Sequence, residues 1–252
     1  MKLNCDLGES FGSWTMGLDA QVMPYIDQAH IACGFHAGDP VVIQKTLLLA
    51  KQHHTSIGAH PSYPDLVGFG RRSLSCSPEE ITAFMLYQIA ALDGMAKAMD
   101  LTLSYVKPHG ALYNDMMKSI STRSAILQAI SQYQAAQKKT QPEQTLKLML
   151  QATPDFVEHQ KEAKAHNVQL LAEAFADRAY DDDGRLLSRQ ATGAVHSKVK
   201  MLAQVKQLCQ QGSITTISGK VLSLKVDSIC VHGDNLEGVN AIEEINRLIA
   251  QG

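Results

Sequence analysis

Leu103-Ser104-Tyr105-Val106-Lys107-Pro108-His109-Gly110-Ala111-Leu112-Tyr113-Asn114 carries the pattern that decides the fold. A short apolar run stops in Lys107 and His109, with a proline between them and a glycine after. Short, apolar on both faces and closed by turn residues is how a buried parallel strand reads. The pattern recurs over residues 3–7, 30–35, 56–60, 146–152, 169–175 and 228–232. Longer amphipathic stretches separate these runs and carry helix-start signals. Asp39-Pro40 caps one. Ser77-Pro78-Glu79-Glu80 is a capping box with proline at the first helical position. Thr153-Pro154 and Asp234-Asn235 open two more, and Gly212 closes the stripe Val199, Leu202, Val205, Leu208. Strands alternating with helices predict an α/β fold with a parallel sheet. Seven such units in 252 residues predict one (β/α) barrel of about seven strands, a single domain over residues 1–252. The polar segment 134–144 reads as a helix end and surface loop within it.

The strand ends carry the chemistry. The first run leads to Asn4, Asp6 and Glu9, the second to Gly34 and His36, the third to His60. The fourth gives Lys107, His109, Tyr113 and Asn114, the sixth Glu173 and then Asp177-Arg178, and the seventh His232 and Asp234. Burying polar groups costs about 1–3 kcal/mol each unless they are satisfied, so repetition at strand after strand marks a site. In parallel barrels that site lies at the C-terminal strand ends. Of ten histidines, His36, His60, His109 and His232 occupy such ends. His53, His54, His159 and His166 read as solvated surface, and His30 and His196 as packing or surface. Gly68-Phe69-Gly70-Arg71-Arg72 brings two guanidinium forks that suit carboxylate or phosphate.

The composition narrows the function classes. With 23 basic and 25 acidic residues the net charge is -2, which lacks the basic excess of a nucleic-acid binder. The longest apolar runs fall far short of a membrane span. Five cysteines without paired spacing argue against a disulfide framework. The opening residues carry no signal pattern, so a reduced, cytoplasmic protein is expected. Residues 212–220 resemble a phosphate-binding loop, but the gap is wrong and Val221 stands where Ser or Thr belongs. The run Asp181-Asp182-Asp183-Gly184 reads as a surface turn. Cys5 and Cys33 read as packing more than as nucleophiles.

Six ordered motifs carry a family resemblance. They are residues 4–12, 32–40, 58–72, 106–114, 173–180 and 231–234, among them Gly34-Phe35-His36-Ala37-Gly38-Asp39 and Lys107-Pro108-His109-Gly110. Together they resemble the LamB/YcsF family, which supplies the A component of prokaryotic 5-oxoprolinase. Two positions depart from its pattern. Ser62 stands where glycine is usual after His-Pro, and Ser188 where proline is usual before Arg189. Both are read as changes of loop shape.

The resemblance implies a barrel of the glycoside hydrolase/deacetylase type. It implies ATP-dependent opening of the lactam 5-oxo-L-proline to L-glutamate, with 5-oxoprolinase subunits B and C as partners and magnesium accompanying the nucleotide. A homo-oligomer is compatible with it. Phosphoryl transfer to the lactam oxygen would create an activated species for water to attack. On this reading Asp6, His36, His60, His109 and Lys107 form the catalytic set, with Asp6 as base for the water. Asn4, Glu9, Gly34, Arg71, Arg72, Tyr113, Asn114, Glu173, Arg178, His232 and Asp234 are expected to contact lactam or ATP. Two alternatives stay open. One is a metal-dependent barrel hydrolase using Asp6, His36 and His60, with His109 as a further donor. The other is a non-catalytic lactam-binding protein.

Overall fold

The computed structural model describes residues 1–138, 145–233 and 235–251. Asp234, and residues 139–144 of the polar segment, therefore lie outside the described residues. The strands are β1 (Lys2–Leu7), β2 (Gln28–Ala32), β3 (Ser56–His60), β4 (Leu103–Val106), β5 (Lys147–Gln151), β6 (Gln169–Phe175), β7 (Ser213–Thr215), β8 (Val221–Ser223) and β9 (Ser228–Cys230). The helices are α1 (Asp19–Val22), α2 (Pro40–Gln52), α3 (Pro78–Lys97), α4 (Gly110–Lys118), α5 (Ile120–Gln137), α6 (Phe156–Ala165), α7 (Lys198–Gln211) and α8 (Leu236–Gln251).

Strands β1 to β6 pair in chain order, every pair parallel, and β9 closes the ring between β6 and β1. The expected closed barrel of seven strands surrounded by helices is what the chain forms. Several strand limits shift by one or two residues from the sequence reading, and β2 shifts most. β2 begins at Gln28 and ends at Ala32, because Gly34 turns the chain at φ +95°. The phosphate-loop look-alike is the C-cap of α7 at Gly212 followed by the antiparallel hairpin β7–β8.

Local sequence explains the helix starts. Asp39 accepts from the N–H groups of Val41 and Val42 at the head of α2. Ser77 and Glu80 satisfy each other's backbone N–H reciprocally at the head of α3. α6 starts at Phe156, just past Thr153-Pro154, with Asp155 at its N-cap.

The barrel interior is polar at its base. Asn4 Nδ2 donates to Ser228 Oγ at 2.7 Å, and Ser228 Oγ donates to Gln28 Oε1 at 2.7 Å. Above this layer the Tyr105 ring lies across Gly58, where a Cβ would come within 2.0 Å of it. Only glycine on β3 admits that ring, whose hydroxyl donates to the carbonyl of Ala29 at 2.9 Å. Outside the ring, Leu3, Cys5, Leu7, Ile31 and Leu148 face the helices in the main apolar core.

Candidate active site

Parallel pairing aligns all the strands, so their C-terminal residues rise on one face of the barrel. A cavity of about 1150 Å³ opens there, reaching Asp6, His60, Lys107, His109 and His232.

At its floor, Lys107 Nζ lies 2.9 Å from Asp6 Oδ1 and 2.8 Å from Glu173 Oε1. Cys230 Sγ is 3.2 Å from the same nitrogen, and the ring of Phe175 is centred 5.3 Å away. All three charged side chains are buried. Burial alone would lower the Lys107 ammonium, but Asp6 above all, with Cys230 and Glu173, holds it well above its ordinary range. Burial likewise opposes ionisation of Asp6. Lys107 and then His60 outweigh it and hold that carboxyl well below its usual range. Glu173 goes the other way, because burial raises it further than Lys107 lowers it. Tyr113 donates its hydroxyl to Glu173 Oε2 at 3.0 Å.

Beside this group stand three imidazoles and Glu9. The rings of His36 and His109 stack at 3.8 Å, tilted by only 3°. Gly70 makes room for them: it sits at φ +62°, and a Cβ there would come within 2.9 Å of both residues. His60 Nε2 lies 3.0 Å from His109 Nδ1 and 3.6 Å from Asp6 Oδ2. Glu9 Oε1 lies 3.3 Å from His109 Nδ1 and 3.4 Å from His36 Nε2. Burial first, then the neighbouring imidazoles, keeps His36 and His109 well below the usual histidine range, so both are neutral.

The four strand-end histidines thus divide. Three converge, whereas His232 turns to the mouth and holds Asp177, its Nδ1 3.0 Å from each carboxylate oxygen. Its ring stacks on Phe175 at 5.5 Å.

The other expected site residues are scattered over more than one place. Arg71, Tyr113, Asn114 and Arg178 line the cavity. Arg72 does not; its side chain is 63% exposed and forks onto Asp65. Asn4 sits in the base layer, bonded to Ser228. Gly34 turns the loop after β2, its N–H donating to the carbonyl of Ala37 at 2.8 Å. Ser62, read as a loop-shape change, accepts from His36 Nδ1 at 3.0 Å. His159 reaches the cavity rim, contrary to its surface reading, because α6 runs beside the mouth.

Several contributors escape sequence reasoning. His30 is buried edge-on against Tyr105 at 5.1 Å, and Cys230 touches Lys107. Alternation along β2 is the signal that puts His30 inside the barrel, whereas the three residues of β9 are too few to show it for Cys230. Cys5 and Cys33 are buried thiols; burial raises the first well above its ordinary value and the second to about 12, which suits packing.

Known proteins share this architecture and sequence. The LamB/YcsF family model matches residues 1–252. The A component of 5-oxoprolinase from Pseudomonas fluorescens is 49% identical over 98% of this chain and 96% of its own length. A second such A component, from Pseudomonas putida, is 50% identical over 98% of this chain and 93% of its own. The crystal structure of a lactam utilization protein from Thermus thermophilus superposes with a TM-score of 0.82 at 35% identity, covering 100% of this chain and 94% of that one. With a full-length family match, relatives near half identity and the same closed barrel, the chain belongs to the LamB/YcsF family.

Proposed function

We propose that this chain opens the lactam ring of 5-oxo-L-proline to give L-glutamate, with cleavage of ATP to ADP and phosphate. The observation that carries this reading is one cavity of two electrostatic characters. Its floor presents Asp6, Lys107 and His60, and its wall presents Arg71, Arg178, Arg185, Arg189 and Lys220. A volume of about 1150 Å³ holds more than one small molecule. The guanidinium and ammonium groups of the wall suit the phosphates of a nucleotide and the carboxylate of the lactam. Asp182 and Asp183 at the rim suit the magnesium that accompanies ATP.

An unstrained lactam is a poor electrophile with a poor leaving group. Transfer of the terminal phosphoryl of ATP to the lactam oxygen releases ADP and activates the ring carbon. A water adds there, the C–N bond breaks, and the ring nitrogen leaves as the amine with a proton, giving an acyl phosphate. A second water at the same carbon releases phosphate and leaves the carboxylate. Lys107 faces the charge that develops on the reacting oxygen, where one well-placed donor is worth about 3–4 kcal/mol. Asp6, kept anionic by Lys107, accepts a hydrogen bond from the attacking water and aligns it. The relatives are named as one lettered component of 5-oxoprolinase, which supports the B and C components as partners.

Substrate labelled with heavy oxygen at the ring carbonyl tests this, using the purified complex with its partners. The label is expected in the released phosphate. Active turnover with no label in phosphate overturns the route.

A further inference from the structure

Hydrogen bonds behind the three converging imidazoles fix where each ring keeps its lone pair. His60 Nδ1 lies 2.7 Å from the carbonyl of Lys107, and His109 Nε2 lies 2.9 Å from the carbonyl of Phe69. A carbonyl can only accept, so both nitrogens carry hydrogen. Ser62 has a single hydroxyl hydrogen, which it donates to the carbonyl of Tyr63 at 2.8 Å. Its oxygen therefore accepts from His36 Nδ1, which carries hydrogen too. His36 and His109 are neutral, so His36 Nε2 and His109 Nδ1 keep their lone pairs, and His60 Nε2 is the third nitrogen turned inward. They meet within one cluster whose ligand atoms all lie within 4.8 Å of one another, together with a Glu9 oxygen.

His60 Nε2 and His109 Nδ1 face each other at 3.0 Å, a contact that one positive species, a proton or a metal ion, can bridge. His36 Nε2 is buried and has no hydrogen-bond partner. A carboxylate oxygen stands 3.3–3.4 Å from two of these nitrogens. Something positive placed between them makes every one of these contacts favourable.

The spacing selects the kind of cation. Ligands about 2.0–2.1 Å from zinc stand about 3.3 Å apart at tetrahedral corners. Four of the six separations here are 3.0, 3.3, 3.4 and 4.0 Å, and all six are within 4.8 Å. Three imidazoles and one carboxylate, each ring backed by an acceptor on its far nitrogen, are the donor set of a borderline divalent metal. Asp6 stays outside the set, since Lys107 already neutralises it. We infer that Glu9, His36, His60 and His109 form a seat for one tetrahedral divalent transition cation, zinc by preference. The inference stands independently of the lactam reading, because metal content reports it without any turnover.

The full-length chain, stripped with a chelator and dialysed against cobalt(II), provides the test. One cobalt per chain is expected, with the intense visible bands of a tetrahedral ion, displaced by zinc. His36→Gln and Glu9→Gln are each expected to weaken cobalt binding by more than about 100-fold, and Ser62→Ala by about 10-fold. Cys230→Ser, which disables the neighbouring Asp6, Cys230 and His232 group, is expected to leave cobalt binding unchanged. Circular dichroism reports whether each variant folds; if the ligand variants do not, the wild-type stoichiometry and spectrum decide. A folded wild-type chain that retains no cobalt, or shows only a pale octahedral spectrum, overturns the seat. So does undiminished binding in folded His36→Gln and Glu9→Gln. In the metal-free outcome a proton shared by His60 and His109 holds their contact, visible by nitrogen NMR as one imidazolium charge over the pair.

Discussion

Lys107 Nζ and Asp6 Oδ1 meet at 2.9 Å beneath the cavity, the lysine carried past the end of β4 and the aspartate near the end of β1. Both groups are buried, so each depends largely on the other for its charge. Lys107→Met strands two buried carboxylates, Asp6 and Glu173, and is expected to cost about 3–5 kcal/mol. Adding Glu173→Gln is expected to recover part of the loss. Urea denaturation of the single and double variants reads both values. An unchanged midpoint for Lys107→Met would show the pair to be dispensable.

The same pair bears on catalysis. Asp6→Asn keeps the shape of the side chain but removes its charge, and His60→Ala removes the ring that faces it. Each is expected to lower turnover by about 100-fold or more in the complete complex. Circular dichroism should remain that of the parent. Near-normal turnover in either variant would take that residue out of the reaction.

Acid should find a weak point at the cavity mouth. Burial alone would raise Asp177; the charge and hydrogen bond of His232, with Asn235, overcome it and hold the carboxyl at about 2, below its ordinary 3.8. A folded value below the unfolded one stabilises the fold above the unfolded value. That contribution, about 2 kcal/mol, drains away as pH falls from about 4 through 2. Asp177→Asn is expected to be less stable at neutral pH and flatter across this acid window. Parallel pH–stability curves for the two proteins would contradict the assignment.

Gly58 offers a purely steric test. A methyl group there would come within 2.0 Å of the Tyr105 ring, which is itself fully buried. Gly58→Ala is expected to destabilise by about 3 kcal/mol, and a second change of Tyr105 to Leu to relieve part of it. Thermal melts of the two variants make the comparison.

The strands that line the site are legible because each ends in residues that cannot be buried cheaply. Lys107 and His109 after an apolar run, or Asp6 after Leu3, mark both the strand and its chemical end. Capping chemistry at Asp39 and Ser77 marks two helices with little ambiguity. What stays hidden depends on contacts between distant strands. Gln28 lies outside the apolar run 30–35, yet its side chain joins the polar barrel base, so β2 starts earlier than that run. β7 and β8 have three residues each, too few for alternation to show. Glu9 looks like a substrate contact by position, and only the fold reveals three imidazoles around it. The role of Ser62 is equally out of reach, since its partner His36 lies 26 residues away.

The closure of the ring by β9 has a consequence for how the molecule comes into being. Lys2 pairs with Ser228, a partner 226 residues along the chain. Contacts of such long range form late and slowly. As the chain leaves the ribosome, the growing sheet therefore has two raw edges, one along β1 and one along β6, until the last strand arrives. The chain must be shielded from its own copies for nearly its whole synthesis, because open parallel edges invite pairing between molecules. Cys230 travels on that closing strand, so Lys107 gains its last neighbour only when the barrel shuts.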